Sequence, residues 1–260
     1  LQEIEASISF IEKSGYRVLL EEALFAEENQ FAGGDQIRKD SFQRLLDNRE
    51  VSAILCARGG YGSARIIDQL DFSLFCKDPK WICGYSDVTV FHSHIHQNFG
   101  IATLHSTMPI NIGNDKRGSE SVQQIIDFLE GKVIDYQIDP HPLNRTGEAE
   151  GVLIGGNLSI LYSLNGTSSD LDTTEKILFI EDLDEYLYHI DRMILNLKRS
   201  DKLSHIKGLI VGGMSEMRDN TIPFPIDAEQ IIRNHCEGFN FPICFGFLAG
   251  HIVDNRPLKV

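Results

Sequence analysis

Apolar residues in this chain recur with two periods that alternate along most of its length. Ile4, Ile8 and Ile11 lie three or four residues apart and predict an opening helix. A Gly ends it, and the apolar run YRVLL that follows is expected to be a strand. Because a sheet fold seldom begins on a helix, a further strand is expected ahead of this one. Beyond the polar loop EENQFAGGDQ come a helix in IRKDSFQRLLDN, the strand VSAILCA, the loop RGGYG and the helix SARIIDQL. The strand KWICGYS, a helix over about 87–98, the strand IATLHS and a helix over about 119–129 complete this half. Strands separated by helices of this length predict a parallel sheet covered on both faces.

Between residues 133 and 150 the pattern changes. VIDYQIDPHPLNRTGEAEG carries two prolines and reads as extended chain linking an N-terminal domain (1–132) to a C-terminal one (151–260). Downstream, strand and helix alternate again as GVLIGG, NLSILYSLNG, KILFIED, the long helix in DEYLYHIDRMILNLKRSDKL, HIKGLIVGG, DAEQIIRNHCEG and PICFGF. Leu187, Ile190, Met193, Ile194 and Leu197 form one apolar stripe on the long helix. The terminal LAGHIVDNRPLKV carries no predicted strand. The expected fold is two α/β domains, the N-terminal one a parallel-sheet domain of Rossmann or flavodoxin type and the C-terminal one smaller.

At 260 residues the chain can bury substantial cores. Its formal charge of -14 argues against a nucleic-acid or anionic-membrane partner, which would need clustered Lys and Arg. No apolar run approaches membrane-spanning length. Five cysteines without a C-x-x-C pair read as reduced thiols, most of them packed among apolar residues, and point to the cytoplasm.

The chemistry concentrates at strand ends. Ser86 in WICGYSDVT follows a strand and precedes a helix, where open α/β sheets place their sites. It matches half of the G-x-S-x-G elbow, because Val88 replaces the second Gly. Ser86 or Asp87 could equally be a plain helix cap. The glycines of RGGYG would let backbone N–H groups approach an anion, or simply make a tight turn. In FHSHIHQ, His92 and His96 share a helix face, but the Glu of H-E-x-x-H and a third ligand are absent, so no metal is expected. Glu181 closes an apolar strand and must find a partner there. His251, after Gly250, follows another strand.

Taken together, these segments resemble the LD-carboxypeptidases, serine peptidases that trim murein peptides and include microcin-immunity relatives. The resemblance runs through AILCARGGYGSARIIDQLDF, WICGYSDVT with HQNFGIATLHSTMP, GVLIGGNLSILYSLNGT, ILFIEDLDEYLYHIDRMILNLKRSDKL, KGLIVGG and PICFGFLAGH. It implies a Ser86 nucleophile, a Glu181 acid and a His251 base, with an oxyanion hole of backbone N–H groups at Gly60 and Asp87. It implies no cofactor, a murein tetrapeptide substrate cleaved at its L,D amide to release D-Ala in peptidoglycan recycling, and a homodimer. Nucleophile and base would then come from different domains, with the site at their interface. It also leads us to expect that the chain ends before the family's final strand. Two alternatives stand beside this: a microcin-immunity-type hydrolase of aminoacyl-nucleotide amides, for which Trp81 lies inside a strand and offers no stacking surface, and a non-catalytic anion-binding module using RGGYG.

Overall fold

The computed structural model describes residues 2–112 and 116–260. Two four-stranded sheets form, each with helices packed against it. The first contains β1 (Ala53–Leu55), β2 (Trp81–Gly84), β3 (Leu104–His105) and, from the far end of the chain, a short strand at Leu258–Lys259. Its helices are α1 (Glu5–Lys13), α2 (Asp35–Asp47), α3 (Ser63–Ile66), α4 (Thr89–Phe99) and α5 (Lys116–Leu129). The second sheet is wholly parallel, in the order β4 (Leu153–Asn157), β5 (Ile177–Leu183), β6 (Gly208–Ser215), β7 (Ile243–Cys244). Helices α6 (Leu158–Leu164), α7 (Leu187–Arg199) and α8 (Ala228–His235) accompany it. The fold is the expected two-sheet α/β architecture.

A strand buried on both faces reads as an unbroken apolar run. In β5, Leu178, Phe179 and Ile180 are all buried, and so are the acids Glu181 and Asp182 that follow them. The stripe on α7 turns inward as predicted, with Ile190, Met193, Ile194 and Leu197 in the core formed by this sheet and its helices. Residues 133–150 form no helix or strand, and a turn at 142–143 interrupts them. Arg145 pairs with Ile243 across an isolated bridge, and its guanidinium donates to the carbonyls of Phe239, Phe241 and Cys236.

Two expectations fail. YRVLL forms no strand: it makes no ladder, and Leu19 and Leu20 are exposed. Strand propensity without a neighbouring backbone to pair with leaves the N–H and C=O groups to solvent, so no sheet results. The terminal segment, in contrast, does make a strand. β8 (Leu258–Lys259) lies antiparallel to β3, and Thr103 and Val260 exchange backbone hydrogen bonds of 2.7 and 3.0 Å. The first sheet is therefore mixed, and the chain returns from the second half to close its edge. Leu258 and Val260 pack there with Phe179, Phe247 and Ala249 in one apolar cluster spanning the two halves.

A second seam joins the halves through α4. Its first residue, the fully buried Thr89, accepts a 3.0 Å hydrogen bond from the Asn157 N–H at the end of β4. Gly156 permits this approach, since a Cβ there would lie 2.5 Å from the Thr89 hydroxyl. Thr89→Val removes the acceptor and leaves a buried N–H unsatisfied, at an expected cost of about 1–3 kcal/mol. Thr89→Ser keeps the hydroxyl and should lie closer to the parent in urea denaturation; equal losses in the two variants would show that the bond contributes nothing.

Candidate active site

The end of β2 makes a tight turn. Gly84 sits at φ +156°, where a Cβ would press on Val88 at 2.9 Å, and Ser86 itself lies at φ +63°. A left-handed serine between a strand and a helix is a strained arrangement that lifts the side chain out of the turn, the geometry of a nucleophile elbow. The missing second Gly of that motif is thus no obstacle to its shape. A 3₁₀ turn at Ser86–Val88 leads into α4. Neighbours brace it: the Gly84 carbonyl accepts from the Ser106 N–H at 3.1 Å and from His92 Nε2–H at 2.9 Å.

Neither Ser86 nor Asp87 caps α4 with its side chain. Asp87 Oδ2 instead accepts a 2.9 Å bond from the Ser63 N–H, tying the turn to the end of the RGGYG loop. From α2, Arg38 donates to the Gly62 carbonyl at 3.0 Å and holds the same loop. The loop lies directly against the serine, for a Cβ on Gly59 would be 3.0 Å from Ser86 Oγ. Among the described hydrogen bonds, neither the Gly60 N–H nor the Asp87 N–H has an internal acceptor.

Glu181, on β5, is completely buried. Its Oε2 accepts from His251 twice, from the ring Nδ1–H at 2.7 Å and from the backbone N–H at 3.1 Å. Gly250, at φ +107°, allows this contact, because a Cβ there would fall within 2.6–2.8 Å of the Glu181 side chain. The loop carrying His251 is fixed from three sides. Ser215 Oγ–H donates to the His251 carbonyl at 2.7 Å, Gly250 N–H donates to Asn255 Oδ1 at 2.9 Å, and Gly213 N–H donates to the Ala249 carbonyl at 3.0 Å. The Tyr85 ring, one residue before Ser86, stands 4.6 Å from the His251 ring. The structure thus brings the serine turn, the glycine loop, the acid and the imidazole to one place where the two halves meet. None of the described hydrogen bonds joins Ser86 Oγ to His251; catalytic hydrogen bonds commonly tighten only once substrate is seated.

Electrostatics follow from this packing. Burial pushes the Glu181 carboxyl up, but the His105 imidazole beside it and the hydrogen bonds and charge of His251 outweigh it and hold the group well below the usual carboxylate range. Burial pushes the His251 imidazole down, while the hydrogen bond and charge of Glu181, helped by Asp182, bring it above its ordinary value. Asp182 faces the other way. Mainly through burial, then through Glu181 beside it, its carboxyl is raised to about 7, while Asn157 Nδ2, Ser159 N–H and Leu183 N–H each donate to it at 2.9 Å.

Of the three histidines in FHSHIHQ, His92 and His94 are buried, and His96 is partly exposed. His92 Nδ1 accepts from the Thr103 hydroxyl at 2.7 Å, and His94 Nδ1 bonds Ser169 Oγ at 2.9 Å. Trp81 lies at the opposite end of β2 from Ser86, edge-on to Phe128 at 4.8 Å. His105, to which sequence reasoning assigned no role, is fully buried beside Glu181. Its only signal was its place near the end of an apolar run in the sequence, like that of Glu181 in KILFIED.

Residues 1–106 match the family model for the LD-carboxypeptidase N-terminal domain, and residues 150–260 that for the LD-carboxypeptidase C-terminal domain. The chain is 36% identical over 257 residues to a probable murein peptide carboxypeptidase of Bacillus subtilis, covering 96% of this chain and 79% of the relative. It is 25% identical to the murein tetrapeptide carboxypeptidase of Pseudomonas aeruginosa, covering 97% and 84%. Among solved structures, the muramoyltetrapeptide carboxypeptidase of Oxalobacter formigenes superposes with a TM-score of 0.82 at 25% identity, over 100% of this chain and 88% of that one. The microcin C7 self immunity protein shares the fold, with a TM-score of 0.86 at 19% identity over 99% and 85%. By sequence over nearly its whole length and by fold, the chain belongs to the LD-carboxypeptidase family and is a serine carboxypeptidase.

Proposed function

We propose that the protein hydrolyses the amide between an L-centre and the terminal D-Ala of murein tetrapeptides, using Ser86, His251 and Glu181. The observation that carries this reading is the 2.7 Å bond between His251 Nδ1 and a fully buried Glu181, made beside a serine in a left-handed turn. The names of the carboxypeptidase relatives support the substrate class. The free cysteines support a reducing compartment, the cytoplasm, as the place of such recycling.

Each residue has one task. With its Nδ1–H committed to Glu181, His251 offers Nε2 as the base that takes the Ser86 proton as Oγ attacks the carbonyl carbon. The negative charge that develops on the carbonyl oxygen is received by the Gly60 and Asp87 N–H groups, which among the described hydrogen bonds have no internal acceptor to give up. His251 then returns the proton to the departing D-Ala nitrogen, the C–N bond breaks, and an ester on Ser86 remains. Water, deprotonated by the same imidazole, hydrolyses that ester and restores the hydroxyl. Glu181 stays ionised and stabilises the imidazolium, consistent with its depressed pKa. The convergence of Glu181 and His251 beside the serine favours this chemistry over a module that merely binds anions. Trp81, packed against Phe128 at the far end of its strand, gives a nucleotide base nothing to stack on.

Ser86→Ala should abolish D-Ala release from tetrapeptide, by roughly 10³-fold or more, with an unchanged melting temperature. Wild-type turnover in that variant would refute the assignment. The pH dependence has a defined sign. His251 acts unprotonated and its pKa lies above the usual ~6.5, so activity falls as pH drops through a midpoint above that value. In Glu181→Gln the charge partner is gone and burial is left to lower the imidazole. The acid limb should move down while kcat falls roughly 10³–10⁴-fold, as when a triad carboxylate is made neutral elsewhere. An acid limb that stays put in the variant would mean that Glu181 does not set the His251 ionisation.

A further inference from the structure

Glu181 has a second imidazole beside it, supplied by the other half of the molecule. His105 ends β3 in the first sheet, and its Nε2 lies 4.0 Å from Glu181 Oε1, with both side chains fully buried. Oε1 has no hydrogen-bond partner among the described residues, and neither ring nitrogen of His105 has one. Three buried polar atoms without partners are costly, since each forfeits its hydration. Two of the three face one another.

The surroundings settle what each can do. Glu181 Oε2 is saturated by the two His251 donors, so Oε1 must look elsewhere. The His105 ring is held edge-on to Phe179 at 4.9 Å and lies 6.0 Å from the Tyr85 ring and 6.2 Å from that of His92. The titratable groups around the pair are His251 from its loop, Asp182 on β5, Tyr85 from the serine turn and His92 on α4. His92 is already occupied on both nitrogens, by Thr103 and by the Gly84 carbonyl. Tyr85 turns its hydroxyl to Asn111 at 3.3 Å, and Asp182 is engaged by Asn157 and two backbone donors. His105 is therefore the side chain left to serve Oε1.

Its tautomer follows from the same geometry. A proton on Nδ1 would aim the bare lone pair of Nε2 at a carboxylate oxygen, acceptor against acceptor, and would bury an N–H donor with nothing to receive it. A proton on Nε2 gives Oε1 a donor and leaves only an unfilled acceptor at Nδ1, the less costly omission.

We infer that His105 is a positioning residue, which donates its Nε2–H to Glu181 Oε1 and thereby holds the carboxylate with Oε2 turned to His251. This inference rests on the triad reading above. It adds that the acid is gripped between an imidazole from each half, so that its aim depends on how the halves pack.

The first test uses the unaltered protein. With ¹⁵N-labelled histidine, the long-range ¹⁵N–¹H pattern of the His105 ring should show the proton on Nε2; a proton on Nδ1 overturns the inference. The second compares His105→Leu, which has no donor, with His105→Gln, which keeps one. In His105→Leu, kcat should fall roughly 10- to 100-fold, the range expected for losing a hydrogen bond to a charged group. KM should be little changed, and the acid limb should move down as the freed carboxylate swings away from His251. His105→Gln should recover much of the rate and return the limb. A folded His105→Leu with the parent's kcat and acid limb, or equal impairment in both variants, would overturn the proposal and leave the triad standing. Should Ser86→Ala instead remain active, the triad reading itself fails.

Discussion

A carboxylate with no exposure to water sets the terms for this structure. Removing an ionised Glu from solvent costs several kcal/mol, and Glu181 is tolerable only because its neighbours are arranged around it. One side of it is met by the imidazole and backbone N–H of His251. To reach that position the His251 loop must lie flush on β5 and β6, which explains why Gly250 and Gly212 stand where any side chain would collide with Glu181 or with the Ala249 carbonyl. The pairing lowers the pKa of the Glu181 carboxyl and raises that of the His251 imidazole, and so joins the electrostatics of the site to its packing.

The serine half is organised by a different constraint, backbone strain. Ser86 keeps its left-handed conformation because Gly84 lets the turn close and because the surrounding contacts over-determine it: Ser106 and His92 on the Gly84 carbonyl, and Asp87 on the Ser63 N–H. That last bond also fixes the RGGYG loop relative to the serine. The two halves are then locked together by Thr89 against the end of β4 and by the terminal strand β8, which carries the second half's chain back to the first sheet. The placement of Ser86 relative to His251 is in this way a product of tertiary packing rather than of any single loop.

Much of this was readable from residue order because it depends on local pattern. The apolar run of β5, the stripe of α7 and the place of Ser86 just past the end of β2 follow from short-range periodicity, whereas β5 continues past Glu181 to Leu183 and His251 lies in a loop well beyond the two-residue β7. What escaped depends on contacts between distant segments. YRVLL has strand propensity but no backbone beside it, and LKV has little but pairs with Leu104 and His105 across the chain. The same reason hid His105: an isolated His in IATLHS has no meaning until β3 and β5 are seen to place it against Glu181. Asp87 looked like a cap for its own helix, and its carboxylate proved to serve the neighbouring loop.

Covalent trapping addresses the convergence of these groups most directly. Treated with a fluorophosphonate, the native protein should take up one adduct, on the peptide bearing Ser86, at a rate that collapses in His251→Ala. An adduct on another residue, or labelling of Ser86 at the native rate without His251, would show that the serine and the imidazole do not act together.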